Sequence, residues 1–454
     1  MSTDINNSIT IQSLEYKSTA TSQLFNAIEH QPWAMLLRSA SNAHVNSRFD
    51  ILVADPIATL TTTGNISTIY CPTGKATSKE DPFTLLKQLQ ETWLPSLPAH
   101  PSLPFLGGAV GYWGYDLGRR IETLPQTAEH DITAPDMAIG LYDWAIIADH
   151  KENKLWQVNL NPTIDRYTWL KQQVPQPKVP FQLTGPWQSN MTRNSYGERF
   201  NAVKEYIFAG DCYQINLAQR FQAPYIGSEW SAYRKLEHAN QAPFSAFIRL
   251  AEHSILSISP ERFLSLQQGK IETKPIKGTR PRYDDPSADE KAITCLQNTE
   301  KDRAENLMIV DLLRNDIGRV ASPGSVKVPE LFAIESFPAV HHLVSTVTGV
   351  LSPEYEAADL LRAAFPGGSI TGAPKIRAME IIEEIEPHRR SIYCGSIGYI
   401  SNCGNMDSSI TIRTLISQND QFYAWAGGGL VADSEVNSEY QEIRDKLSRI
   451  LPLL

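Results

Sequence analysis

The sequence predicts an α+β fold, with large antiparallel β-sheets forming a sandwich-like core and helices packed outside. Strand-like segments are short, rich in β-branched residues and separated by Pro, Gly and Asn. Helical periodicity recurs at irregular intervals and never as a regular β–α repeat, which argues against Rossmann and barrel architectures. The 454 residues are 42% hydrophobic and 20% charged, ordinary values for a globular chain that needs no disulfide or metal staple to fold.

Residues 50–75, beginning DILVADPIATLTTTGNISTIY, read as strands and a hairpin. Phe105 to Trp113 and Met137 to Asp149 read as further strands, the second flowing into LWQVNL after a Lys-Glu-Asn-Lys turn. Residues 172–187, with four prolines and little periodicity, form the best linker. It divides the chain into an N-terminal region, 1–185, and a C-terminal region, 186–454. Ser195 to Ala209 places apolar residues at 200, 203, 207 and 208 and meets Gly210, a helix with its stop. Strands are expected at 245–250, 254–259, 263–267 and 270–274, a strong helix at 300–314 and a last helix at about 436–451.

The formal charge is −9 and no polybasic run appears, so no nucleic-acid partner is expected. Cys71, Cys212, Cys295, Cys394 and Cys403 are scattered without CxxC spacing and read as reduced thiols. The N-terminus has no apolar signal region, and the longest apolar stretches, such as Trp144 to Ala148, are far too short to span a membrane. A cytoplasmic protein with no membrane partner is expected.

Some motifs carry little. GGAVGYWG (107–114) is spaced GxxGxxG, and close backbone packing in a sheet explains it. PGGSITGAPK (366–375) fails the phosphate-loop spacing. His341 and His342 are neighbours that cannot both face one metal from a strand.

Other segments look chemical. In KPIKGTRPR (274–282), Lys277 is either solvated or held in a pocket whose desolvation yields a nucleophilic amine. Glu305 falls inside the apolar stripe of its helix, marked by Met308, Ile309 and Leu312. A carboxylate there needs an arginine partner or a hard divalent ion such as Mg²⁺. On the last helix Glu439 lies at the edge of the stripe and Glu442 off it, so the wheel favours solvated glutamates. Pro366 to Gly372 and Ala426 to Gly429 offer bare backbone to an anion. Arg413, in the alternating run Ser409 to Thr414, suits a bidentate carboxylate clamp. As a set these features point to a small polyanion, a dicarboxylate with Mg²⁺.

PIKGTRPR, DRAENLMIVDLLRNDIGRV, FPAVHHLVSTVTG, FPGGSITGAPKIRAMEIIEEIEP, GSIGYIS, ITIRT and AGGGLVADS occur in the order found in the chorismate-utilising enzymes, which this sequence resembles over about 190–450. Pro32 to Leu37 and Ser47 to Asp50 extend the resemblance more loosely. It implies that both halves share one sheet sandwich, with a chorismate-binding catalytic part at 186–454. Anthranilate synthases usually carry alanine where this chain has Lys277, so the resemblance favours the branch that replaces the C4 hydroxyl of chorismate by an amine.

There Lys277 attacks C2, expelling the hydroxyl, ammonia adds at C4 and the lysine leaves. Glu261 aligns with the general acid/base. Glu305 and Glu442 fall on Mg²⁺ ligands, with Asp302 and Glu439 in an outer shell. Arg413, Tyr399 and Gly427, Gly428 and Gly429 match positions contacting the enolpyruvyl carboxylate, and His342, Ser369, Thr371 and Lys375 match other pocket positions. Ser39, Asn46, Ser47, Arg48, Phe49, Pro243, Phe244 and Ser245 match a tryptophan pocket. The chain has LLRS and NQAPF where feedback-inhibited anthranilate synthases tend to have LLES and NPSPY, so a regulatory role for tryptophan does not follow. No glutaminase motif is visible, and the resemblance implies a glutamine amidotransferase partner supplying ammonia. The alternatives are anthranilate formation and a non-catalytic, tryptophan-binding regulatory subunit.

Overall fold

A computed structural model of the chain describes residues 9–40, 47–161, 163–336 and 340–454. Two sheets, of 13 and 12 strands, carry the fold, and their strand pairings are antiparallel. Each sheet joins a block of strands from before residue 185 to a block from after it. Met35–Arg38 lies between Phe49–Val53 and Phe244–Arg249 in the larger sheet. In the smaller sheet Gly108–Trp113 lies between Ser396–Ser401 and Met137–Tyr142. The two segments thus share one core.

Gly108–Trp113 is buried along its whole length. Its glycines serve backbone packing, as the sequence suggests: at Gly108, φ +137°, a Cβ would lie 2.3 Å from the Ile400 carbonyl oxygen. Trp113, Trp144, Tyr112 and Phe105 are fully buried nearby, each stabilising the core by roughly 2–3 kcal/mol.

Between its main strands the chain changes sheets four times, and the two-residue strand Gly372–Ala373 adds a brief excursion from the smaller sheet to the larger. Phe49–Val53 belongs to the larger sheet and Ala58–Thr63 to the smaller. The expected continuous strand Met137 to Asp149 is two strands, and Asp143 between them returns the chain to the larger sheet. Ser254–Ser259 in the larger sheet is followed by Arg262–Gln267 in the smaller, and Met406–Ile410 in the smaller by Thr414–Gln418 in the larger. Alternation of apolar residues cannot reveal such a crossing, because strands on both sides are buried.

The helices pack outside. Arg193–Ala209 starts where the Thr192 hydroxyl accepts from the Ser195 amide at 3.1 Å and stops at left-handed Gly210. It buries Tyr196, Phe200, Val203 and Ile207 but leaves Phe208 outside. Glu300–Gly318 extends a turn beyond its expected end, and the last helix spans Val436–Leu447. The proline-rich stretch is laid along the surface: Gln182 and Leu183 pair with Ile226 and Tyr225, and the Trp187 indole donates to the Leu451 carbonyl at 3.2 Å. Among the described residues no helix is long and apolar enough to cross a membrane.

Candidate active site

Two of the four crossings build the centre of the site. One carries Glu261, the other Arg413, and backbone hydrogen bonds stitch them together. The Ile410 amide donates to the Glu261 carbonyl and the Ile258 amide to the Arg413 carbonyl, both at 3.1 Å. Arg413 is therefore not part of an alternating strand. The strand ends at Ile410, and Arg413 has φ +51°, a left-handed conformation that costs a non-glycine residue roughly 1–2 kcal/mol. Among the described residues no carboxylate or other acceptor bonds its guanidinium. Burial lowers its pKa and leaves it a preorganised anion receptor.

Lys277 lies on Ile276–Pro281, whose register shifts between Lys277 and Thr279. Gly278 between them has φ +74°, and a Cβ there would lie 2.7 Å from Leu296 Cδ1 and 3.1 Å from Asp302 Oδ2. This bulge re-aims the lysine inward. Lys277 Nζ donates to the Ser369 carbonyl at 3.1 Å, while the Ser369 hydroxyl donates to Glu261 Oε1 at 3.2 Å. One residue thus holds amine and carboxyl together. Burial lowers the lysine's pKa against the pull of Glu305 and Glu261. Burial likewise raises that of Glu261, with Lys277 and the Ser369 hydrogen bond opposing.

Two helices bring carboxylates to this pocket: Asp302 and Glu305 from Glu300–Gly318, Glu439 and Glu442 from Val436–Leu447. Glu439 is buried, accepts from the Ser434 hydroxyl at 2.7 Å and lies 3.8 Å from Lys301 Nζ. The helical wheel misplaced it, because its partners come from outside its own helix. Glu442 is exposed, as the wheel indicates, and pairs with Lys446 at 2.7 Å. Asp302 pairs with Arg280 at 3.3 Å. Burial raises the pKa of Glu305 and of Glu439; the charges of Asp302 and Glu439 push Glu305 further up, and that of Glu442 does the same to Glu439. A Cβ at Gly428 would lie 2.9 Å from Glu439 Oε2 and 3.8 Å from Glu442 Oε1, so bare backbone is what lets these oxygens approach the strand. Hard-oxygen donors brought together here, with Glu439 buried and Glu305 partly so, fit a divalent ion such as Mg²⁺.

The remaining expected positions divide. His342 joins the pocket: its Nδ1 is 2.8 Å from the Thr279 hydroxyl, and burial plus the charge of Arg413 push its pKa down to about 4. His341 points the other way, to Ser336 and Asp289. Gly427 packs on Leu217, and a Cβ at Gly429 would meet Gln214 and Asn216. Thr371 is buried and its hydroxyl donates to the Gly367 carbonyl at 3.0 Å, bracing the loop. Lys375 is engaged elsewhere, donating to Asp316 at 2.6 Å and to the Ala364 carbonyl at 2.9 Å. Tyr399 packs edge-on against Phe105, with Asp407 and Arg262 as charged neighbours; no hydrogen bond joins it to Lys277, Glu261 or Arg413 among the described residues. Lys446, Lys301 and Asp316 escaped the sequence reading. Only Lys446 left a signal, its four-residue spacing from Glu442.

The tryptophan-pocket positions gather on neighbouring strands of the larger sheet. The Ser39 amide donates to Asp50 Oδ1 and its hydroxyl to the Phe49 carbonyl, each at 3.0 Å. Arg48 grips Asp149 through Nε at 3.1 Å and Nη2 at 2.8 Å. Ser245 pairs opposite Arg38, which bonds Asp50 at 3.1 Å. Pro243 is buried, and the Phe244 ring lies 5.2 Å from the Arg262 guanidinium. The Ser47 hydroxyl is buried and has no hydrogen-bond partner among the described residues. Asn46 lies outside the described residues. Elsewhere, Glu129, Asp131 and His388 place ligand atoms within 4.8 Å of one another, but Arg220 already holds Asp131 through bonds of 2.6 and 2.8 Å.

The family model described as chorismate binding enzyme matches residues 34–452. Aminodeoxychorismate synthase component 1 of Salmonella typhimurium is 57% identical, over 97% of each chain. Anthranilate synthase component 1 of Thermus thermophilus is 37% identical, over 93% of this chain and 92% of the other. The crystal structure of anthranilate synthase component I from Streptococcus pneumoniae superposes with a TM-score of 0.78 at 32% identity, covering 89% of this chain and 93% of that one.

Proposed function

Since the chain belongs to the chorismate-binding enzyme family, we propose that it is an aminodeoxychorismate synthase component 1, converting chorismate and ammonia to 4-amino-4-deoxychorismate for 4-aminobenzoate and folate synthesis. The observation that carries this reading is the Lys277–Ser369–Glu261 bridge, which sets a desolvated amine beside a carboxyl that favours its protonated form.

Lys277, as free amine, bonds to C2 of the ring. Glu261 gives its proton to the departing C4 hydroxyl, which leaves as water. Ammonia then bonds at C4, the C2–N bond to Lys277 breaks, and the amine returns to its place at the Ser369 carbonyl. Arg413 holds a substrate carboxylate. Glu305 and Glu442 would hold Mg²⁺, with Asp302 and Glu439 around it. When bound, the ion offsets the charge of the ring carboxylate.

Component 1 relatives imply a second component, and we read it as a glutamine amidotransferase that supplies the ammonia. The pocket around Ser39, Arg48 and Pro243 to Ser245 is read as a tryptophan site, for which calorimetry with L-tryptophan is the direct assay. Incubation with chorismate, ammonia and Mg²⁺, followed by chromatography, tests the main reading. Aminodeoxychorismate is expected, with a mass-spectrometric lysine adduct at Lys277. Fluorescent anthranilate as sole product overturns it in favour of the related synthase, and tryptophan binding without turnover would indicate a regulatory subunit.

A further inference from the structure

The carboxylates read as metal ligands are already balanced by lysines of the same chain. Lys446 stands one helical turn beyond Glu442, with Nζ 2.7 Å from Glu442 Oε1, and donates to the Gly427 carbonyl at 2.8 Å. Because Gly428 has no side chain, Glu439 Oε2, Glu442 Oε1 and Lys446 Nζ gather around one point, 2.9, 3.8 and 3.9 Å from where its Cβ would be. The ammonium also acts on Glu439, Glu261 and Lys277. Lys301 does the same for Glu439 and Glu305. The Glu442 and Lys446 side chains are 52% and 38% exposed, so they can part into water without opening the core.

An ammonium on a carboxylate takes up one of its lone pairs and neutralises its charge, and an ammonium beside a divalent ion is repelled by it, so the two cations compete for the site. We propose that Lys446 is a tethered counter-ion that occupies Glu442 in the metal-free protein and is displaced when a divalent cation binds, so that its release sets the apparent metal affinity. The proposal rests on reading Glu305 and Glu442 as the metal ligands. It gives Lys446 a positioning role: the lysine keeps the acidic helix face neutral and folded against the glycine strand until the ion arrives.

The test is calorimetric titration of the full chain with Mg²⁺ alone, without substrate, for the wild type, Lys446→Gln, Lys446→Arg and Glu442→Gln, with circular dichroism to verify folding. Lys446→Gln is expected to tighten Mg²⁺ binding about three- to tenfold, the range for release of a part-exposed ion pair. Lys446→Arg, which keeps the competing cation, stays near wild type. In parallel, Mg²⁺ should speed acylation of Lys446 in the wild type by an amine-directed reagent, read by peptide mass spectrometry. Unchanged or weaker Mg²⁺ binding in Lys446→Gln, or acylation that Mg²⁺ leaves unchanged or slows, overturns the counter-ion role. Wild-type Mg²⁺ affinity in Glu442→Gln would instead overturn the ligand assignment, a separate failure.

Discussion

Lys277 Nζ and the carbonyl oxygen of Ser369 lie 3.1 Å apart, and this backbone acceptor is the lysine's hydrogen-bond partner among the described residues. A carbonyl anchors the side chain in either protonation state. A carboxylate at the same distance would hold it as ammonium and keep it from acting as a nucleophile. The Ser369 carbonyl and the bulge at Gly278 therefore set both the place and the charge of the amine.

Replacing that amine should stop the chemistry and spare binding. Lys277→Ala is expected to lower aminodeoxychorismate formation by about 10³-fold or more, while chorismate affinity, set by Arg413 and the metal carboxylates, changes by about threefold at most. Chromatographic product assay and calorimetry with chorismate measure the two. Lys277→Arg should not rescue activity, because a guanidinium does not give up its proton. Full activity in Lys277→Ala would show that the amine plays no part.

The pH dependence follows from the pair. Burial lowers the pKa of Lys277 and raises that of Glu261, so the two approach each other and titrate as a unit. The active unit carries one proton. A second proton turns the amine into ammonium as pH falls, and loss of the first removes the acid as pH rises, so rate against pH is bell-shaped. Glu261→Gln should cost about 10²–10⁴-fold and leave a profile that only rises with pH. A bell that persists in this variant would place the acid elsewhere.

Ser369→Ala separates the two bonds of the bridge, since the carbonyl that holds Lys277 remains. Loss of the hydroxyl removes a hydrogen bond favouring ionised Glu261, so the carboxyl's pKa rises and the alkaline limb of the profile moves to higher pH. The rate falls about fivefold, the equivalent of ~1 kcal/mol. An unmoved alkaline limb would mean that Glu261 does not define it.

Arg413 combines an uncompensated charge with a left-handed backbone. Arg413→Gly should raise thermal stability by about 1–2 kcal/mol while raising KM for chorismate by about 10²-fold, and Arg413→Lys should restore little of the binding. Calorimetric Tm and steady-state kinetics would report both. A fall in Tm for Arg413→Gly would show that the residue stabilises the crossing.

Lys375 and Asp316 form a buried pair with 13% and 4% of their side chains exposed. Burial shifts both pKa values toward the neutral forms. Lys375→Met strands a buried carboxylate and is expected to cost about 3–5 kcal/mol, whereas Lys375→Met with Asp316→Leu recovers most of it. Chemical denaturation measures this. If the lysine contacts substrate instead, the double variant folds well but fails to bind chorismate.

Much of the fold was legible because period-two alternation and helix caps are local signals: the strands at 254–259 and 270–273 and the helix stop at Gly210 fall where expected. The break at Glu261 was expected but not the change of sheet there, and at Arg413 the alternation runs on unbroken although the chain leaves one buried sheet for the other. For the same reason the run Ser409 to Thr414 read as one strand. Glu439 was misjudged because the residues that make its burial tolerable, Ser434 and Lys301, lie outside its helical period. Lys375 matched a pocket position by resemblance, yet Asp316, 59 residues away, claims it. Partners so distant leave no mark on local pattern.

The placement of Glu261 and Arg413 on adjoining crossings has a consequence for how the protein can be divided or altered. Glu261 and Arg413 ride on rungs between the two sheets, so the angle between the sheets is the ruler that spaces them. Distant substitutions that tilt one sheet should appear as lost turnover while the chain is still folded. Nor can the reacting half be cut free at the proline-rich stretch. A fragment beginning there would lack Met35–Arg38 and Gly108–Trp113 from the middle of each sheet, and the ruler would have no fixed ends.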